Sequence, residues 1–324
     1  MTIDSVEGHR PEEIRAVPLR HPGRWVATAV LLVLAAMLVH DIVTNPRFGW
    51  GVVGNYFFAT PVVDGVEKTL ELTFVAMAIG VVLGVLFAVM RLSPNPILSG
   101  AAWLYIWFFR GTPVYVQLLF WYVIAVLQPT ISIGIPFGPE FVHMSANTIV
   151  TPFVAALLGL GLNEGAYYAE IVRAGILSVD HGQFEAAQSL GMRRAPLMRR
   201  VVLPQAMRVI VPPTGNETIS MLKTSSLAVV VTYPELLFQT QNIQNRTYEI
   251  IPLYIMASFW YLLLTTLFTM GQFYVERYYA RGSSYALPLT PMQKLRRNLT
   301  TLRRTPFSAS ALAEPFSSSG QGNP

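Results

Sequence analysis

Apolar residues fall in long uninterrupted blocks rather than at alternate positions or on one helical stripe. Six blocks divide the chain, at 25–43, 70–90, 101–127, 149–171, 209–231 and 251–270. A helix that is apolar all round is a buried helix or a membrane span, and a span needs about 20 mostly apolar residues. The block 70–90 is the cleanest, with Glu71 at its edge as its only charge. At ~1.5 Å per residue it rises ~32 Å, enough for a hydrocarbon core ~30 Å thick. The third block is too long for one straight helix and is interrupted by Arg110-Gly111-Thr112-Pro113. The fourth and fifth carry ionisable residues, so hydropathy alone ranks them low. The pattern predicts an all-α integral membrane protein, a bundle of about six transmembrane helices.

Composition agrees. Hydrophobic residues make up 52% and charged residues 13% of the 324 positions, with a mean hydropathy of +0.44. Soluble domains average about 25% charged, so too few polar side chains exist to cover a soluble surface. The net charge of +5 is modest, and the placement of the basic residues follows membrane topology, not nucleic-acid binding. Arg10, Arg15, Arg20 and Arg24 precede the first block. Arg173, Arg193, Arg194, Arg199, Arg200 and Arg208 lie between the fourth and fifth, and seven more follow the last, from Arg277 to Arg304. The opposite side holds only Arg47, Lys68 and Arg246, and the segment 128–147 has no Lys or Arg. The asymmetry puts both termini in the cytoplasm of a multi-pass protein. The segment 1–24 reads as a cytoplasmic arm, not a secretory leader. The basic, Ser- and Pro-rich stretch 278–324 reads as a disordered tail that can hold to anionic lipid. With no Cys, disulfides and Cys-ligated metals are excluded. No GxSxG or HExxH pattern offers a catalytic or metal-binding seat, so neither a catalytic residue nor a metal ligand is expected.

The stretch 173–208 does not read as a floppy linker. Asp180 suits a helix N-cap, and Gly191 suits a left-handed C-cap for a helix ending near Leu190. Pro196 suits the first turn of a second short helix, and Pro204 marks the next break. Phe184, Ala187 and Leu190 share one side at helical spacing. Small and apolar residues on such a knuckle must bury themselves in a partner or lie on lipid headgroups. The residues alone leave both open.

Glu185-Ala186-Ala187, Gly191 and Val202-Leu203-Pro204 resemble the EAA loop of bacterial ABC importer permeases. The segments 105–113 with Gln117, 162–176, 221–227 and 233–237 are similar to the polar amino acid branch of that family. The resemblance covers about 68–277 and leaves 25–43 as an extra first span. It implies a five-helix type I importer core with its coupling loop at about 178–204. It implies a bacterial inner-membrane permease subunit of an ATP-driven polar amino acid importer. Its partners would be a separate ATP-binding subunit, an extracytoplasmic solute-binding protein and a second permease, identical or paralogous. The chain has no GxxxxGK[ST] loop to cradle phosphates, so ATP and Mg would belong to the ATPase partner. The alternative is a secondary transporter or channel for small polar solutes. The absence of an internal repeat weakens it.

For ATPase coupling the resemblance points to Phe184, Glu185, Ala186, Ala187, Gly191, Leu203 and Pro204. Glu185 would meet a basic residue of the ATPase, or make an i,i+4 contact within its own helix. Phe184, Ala186 and Ala187 would form a knob buried in the partner, or pack on the permease itself. For the substrate pathway the candidates are intramembrane polar residues, which are costly and by default functional. Asn163 and Glu164 follow a charge-free run, and Glu164 can hold a substrate ammonium or pair with Lys223. Asn216, Glu217 and Lys223 lie in the fifth block, where Asn216, Ser220 and Lys223 share a face. Gln117 follows Pro113 by one turn. Glu170 is expected to pair with Arg173. Arg110 is expected either as a pathway or gate element, where Gly111-Thr112-Pro113 breaks the helix, or at the cytoplasmic interface, with 101–109 a surface-lying helix and the third span starting near Thr112.

Overall fold

The computed structural model describes residues 22–135, 138–279 and 297. Most of the expected arm 1–24 and nearly all of the tail 278–324 lie outside them. The first helix, α1 (Pro22–Thr44), belongs to a different compact unit from residues 45–287. No part of its apolar window is buried, so it presents hydrocarbon on every side.

The second unit begins with α2 (Trp50–Phe57) and α3 (Thr60–Arg91), then α4 (Pro96–Gly111), α5 (Val114–Tyr122) and α6 (Ile124–Leu127). A hairpin follows, β1 (Thr130–Gly134) and β2 (Glu140–Ser145), antiparallel with Thr130 opposite Ser145 and an irregularity at Ile133/Gly134. After α7 (Ala146–Ile149) comes the long α8 (Pro152–Leu177). The elbow is α9 (His181–Ser189) and α10 (Arg194–Leu197), followed by α11 (Leu203–Thr224), α12 (Leu236–Thr247) and α13 (Ile250–Tyr279).

Local chemistry sets these boundaries. Prolines stand in the first turn of α3, α4 and α8, where a missing N–H costs nothing. Asn95 caps α4 by accepting from the Ile97 N–H at 2.9 Å, and Thr151 caps α8 through Val154. Pro204 cannot donate to the carbonyl four residues back. The turn before it, Met198–Val202, widens into a π-helix. Glu235 caps α12, accepting from Leu237 and Phe238 N–H groups at 2.9 and 2.7 Å. Its carboxylate also accepts from the Tyr261 hydroxyl, while Leu236 N–H donates to Thr69. One cap therefore joins α12, α13 and α3.

Of the described helices, α1, α3 and α13 are long and apolar enough to cross a membrane alone. The third passage differs from the sequence expectation. α5 has 9 residues and rises only ~14 Å at ~1.5 Å each, too short to span. α4 does not lie on the surface. Its Ala102 and Ile106 are buried, and the Tyr105 hydroxyl donates to the Leu162 carbonyl midway along α8 at 2.6 Å. The passage is α4 plus α5, broken at Thr112-Pro113.

α3 and α8 form the central pair. The stripe Ala76, Gly80, Gly84 and Ala88 on α3 is fully buried against α8. A Cβ on Gly80 would meet the Cβ of Glu164 at 2.8 Å, and one on Gly84 would meet the Cβ of Tyr168 at 2.6 Å. Only glycine permits this approach. Beyond that pair, one apolar cluster joins the far halves of α3, α5 and α8. A second joins α2, α3, α12 and α13, and a third packs the elbow onto α8 and α11.

Candidate functional site

Beside the close α3–α8 contact, α8 borders a cavity of about 350 Å³. α8 lines it with Leu160, Asn163, Glu164 and Tyr167. α11 supplies Glu217, Ser220, Met221 and Thr224, and α5 supplies Val114. The spacing 217, 220, 221, 224 is one face of a helix. Two carboxylates therefore enter one chamber, and among the described residues no Lys, Arg or His lines it. Glu164 is 5% exposed, and its Oε1 has no hydrogen-bond partner among the described residues. A buried carboxylate oxygen without a donor is costly to keep. Its chemistry asks for a cation or an N–H donor from outside the chain.

At the other end of α8 the elbow has a defined shape. Asp180 accepts from the Gly182 N–H at 2.7 Å and starts α9. The helix ends at Leu190, and Gly191 turns the chain with φ +73°. Ala187 is buried and Phe184 partly buried within the apolar cluster of Tyr168, Val172, Leu197, Val202 and Ile210. These two pack on the protein's own bundle, the second of the two arrangements the sequence left open, and do not form an outward knob. Glu185, Ala186, Leu190, Gly191, Leu203 and Pro204 face outward, with Leu190 83% exposed. Glu185 Oε1 lies 3.3 Å from His181 Nδ1 on the same helix, both well exposed.

Residues 80–281 match the family described as binding-protein-dependent transport system inner membrane component. The chain belongs to that family. It is 45% identical over 280 residues to the arginine transport system permease protein ArgU of Corynebacterium glutamicum, covering 86% of this chain and 87% of that one. It is 35% identical over 201 residues to the histidine/lysine/arginine/ornithine transport system permease protein HisM of Escherichia coli, covering 62% and 81%. A solved amino acid ABC transporter with histidines aligns at a TM-score of 0.59 and 38% identity, covering 68% of this chain and 95% of that chain.

The permease keeps some of the expected pathway residues in the cavity and not others. Asn163, Glu164 and Glu217 line it, and so does Ser220. Gln117 does not. It is buried beneath the α4–α5 break, where Pro113 has no N–H to return to Phe109. Gln117 Nε2 donates to the Phe109 and Thr112 carbonyls at 3.0 and 3.1 Å, and Asn163 Nδ2 donates to Phe109 O at 2.8 Å. Gln117 is thus a strut for freed carbonyls. Gln117→Leu removes the donor to Thr112 O and the acceptor of Asn163. It should cost about 1–3 kcal/mol, read as a lower thermal unfolding midpoint in detergent. An unchanged midpoint would show the strut to be dispensable.

Asn216 is turned away to α13, where it accepts from Gln272 at 3.0 Å. Lys223 is exposed, and among the described residues no ion pair joins it to Glu164, so the internal pairing of those two is not what the fold builds. The cavity face of α11 is one residue round from the face Asn216, Ser220, Lys223. Glu170 pairs with Arg173 at 2.8 Å. Tyr167 and Thr224 are lining residues that sequence reasoning passed over. Thr224 was reachable from Glu217 by its seven-residue spacing, and Tyr167 from Asn163 by its four.

Proposed function

We infer that the permease carries amino acids with a positively charged side chain. It is the membrane-spanning permease subunit of an ATP-driven importer for polar amino acids, and it works with an ATPase subunit and a second permease subunit. It is not itself catalytic. The observation that supports a cationic substrate is the chamber with Glu164 and Glu217 and, among the described residues, no basic residue. A guanidinium or ammonium supplies the missing donor to Glu164 and balances the carboxylates in a low-dielectric site. A substrate carrying a second carboxylate finds no counter-charge there. The names of two relatives, an arginine permease and a histidine/lysine/arginine/ornithine permease, point the same way.

In this reading both termini are cytoplasmic, the elbow docks on the ATPase, and ATP with Mg is held by that partner. A solute-binding protein delivers the amino acid to the opposite side, where the β1–β2 hairpin lies. The outward residues Glu185, Ala186, Leu190 and Gly191 form the docking surface, with Leu203 and Pro204 at its edge. Ala187 and Phe184 transmit force inward by packing on α8 and α11. Alternating access is the rocking of these helices between two openings of the chamber.

The test is reconstitution in proteoliposomes with the ATPase and the binding protein. ATP-dependent uptake should favour L-arginine or L-lysine over L-glutamine and exclude L-glutamate. Equal uptake of glutamate would falsify the cationic reading. Uptake driven by an ion gradient without ATP would assign the chain to secondary transport instead.

A further inference from the structure

A second cavity, of about 470 Å³, lies on the elbow side of the acidic chamber, between α4, α8 and the end of α3. Tyr167 lines both cavities. The Arg110 guanidinium lies over its ring, 5.2 Å from the centroid. On α8 the residues Asn163, Tyr167 and Glu170 follow one another down a single face. A molecule that leaves the acidic chamber toward the elbow along α8 therefore meets Tyr167 and Arg110 first.

The two cavities have opposite charge. The chamber carries Glu164 and Glu217. The second cavity carries Arg91 and Arg110, and its one carboxylate, Glu170, is already bonded to Arg173 at 3.0 and 2.8 Å. Among the described residues no ion pair holds Arg91 or Arg110. Arg91 donates to Ser99 at 2.8 Å. An arginine within a bilayer costs about 2.5–3.5 kcal/mol on insertion scales, and more without a partner. A ring face attracts the cation but accepts none of its five N–H bonds in line. The ligand that matches a guanidinium fork is a carboxylate.

A cationic amino acid has a positive side chain at one end and an α-carboxylate at the other. Two cavities of opposite sign separated by one aromatic ring match that dipole. We propose that Arg110, seated on Tyr167, binds the α-carboxylate of the amino acid as it passes from the acidic chamber, and so admits amino acids over the corresponding amines. Arg91 provides a second positive charge farther along the same cavity. This rests on the cationic reading given above.

The test uses the permease with its ATPase partner in phosphatidylcholine nanodiscs, without the binding protein, whose own selectivity would mask the effect. Equilibrium binding of radiolabelled L-arginine is compared with agmatine, its decarboxylated counterpart. The unsubstituted complex should prefer L-arginine by about tenfold or more, the size expected of a charge-assisted bond. Arg110→Gln should bring L-arginine down to the level of agmatine and leave agmatine binding unchanged, which also reports an intact fold. Arg110→Lys should restore part of the preference. A preference that survives in Arg110→Gln overturns the proposal. So does a variant whose only defect is lost stabilisation by phosphatidylglycerol nanodiscs, which would make the groove a lipid headgroup site. Glu164→Gln should weaken both ligands. If it weakens neither, the cationic reading fails, whatever Arg110 does. If neither compound binds the unsubstituted complex, both readings fail together.

Discussion

Glu164→Gln should lower ATP-dependent uptake of L-arginine by at least about tenfold, and change uptake of L-glutamine far less. The substitution keeps the shape of the side chain, so the tight approach of Gly80 to Glu164 is preserved. What it removes is one of the two carboxylates in the chamber. Oε1, which has no donor among the described residues, becomes an amide atom with no claim on a cation. Charge-assisted bonds contribute roughly 1.5–3 kcal/mol, which sets the expected size. Glu217 remains, so residual transport is expected. The comparison of the two substrates separates recognition from folding. A general loss of helix packing would lower both alike, and that result would return Glu164 to a packing role.

Gly191→Val should reduce uptake and substrate-stimulated ATP hydrolysis together, by roughly five- to thirtyfold, while membrane insertion stays normal. At φ +73° a β-branched side chain strains the backbone by about 1–2 kcal/mol or more. No atom lies within 4 Å of the position a Cβ would take, so the effect is conformational and not a clash. The turn relaxes to another φ, and the outward face formed by Glu185, Ala186 and Leu190 swings away from its docking angle. A shift of that energy changes the population of the correct elbow by the stated factor. Gly191→Asn, which tolerates the left-handed region, should recover much of the activity. If Gly191→Val transports normally while the purified complex stays assembled, the elbow geometry does not govern coupling.

Hydrophobic blocks made α1, α3 and α13 legible because nothing polar interrupts them. They gave poor guidance for α8 and α11, where Asn163, Glu164, Pro212, Pro213 and Glu217 sit inside the spans. The same residues that hide these helices from a hydropathy reading are the ones that mark the chamber. The carboxylates were legible singly, since an acidic group in hydrocarbon has few bland explanations. Their convergence was not, because it depends on α8 being rotated by close packing on Gly80 and Gly84. The elbow was readable from Asp180 and Gly191. Its facing was not, because Ala187 and Ala186 are chemically alike, and only the position of Tyr168, Val172 and Val202 decides which of them turns inward. The run 101–109 read as surface-lying because Gly-Thr-Pro ends a helix, as it does at Gly111. The amides of Gln117 and Asn163, distant in sequence, satisfy the break and let the passage continue.

The interlocked α3–α8 pair limits where the permease can bend. Glycines with no clearance lock those two helices into one rigid beam, and the apolar cluster at the elbow bolts α9 and α10 to its end. The Thr214 hydroxyl bonded to Tyr168 at 3.2 Å adds a rivet to the near half of α11. Within the chamber walls, flexure is left to the joints where the helical ladder lacks rungs, Thr112-Pro113 and Pro212-Pro213. These joints interrupt the two helix passages that face α8 across the acidic chamber. Torque applied at the elbow would thus open or shut the chamber about its far walls, while Glu164 keeps a fixed place on the beam.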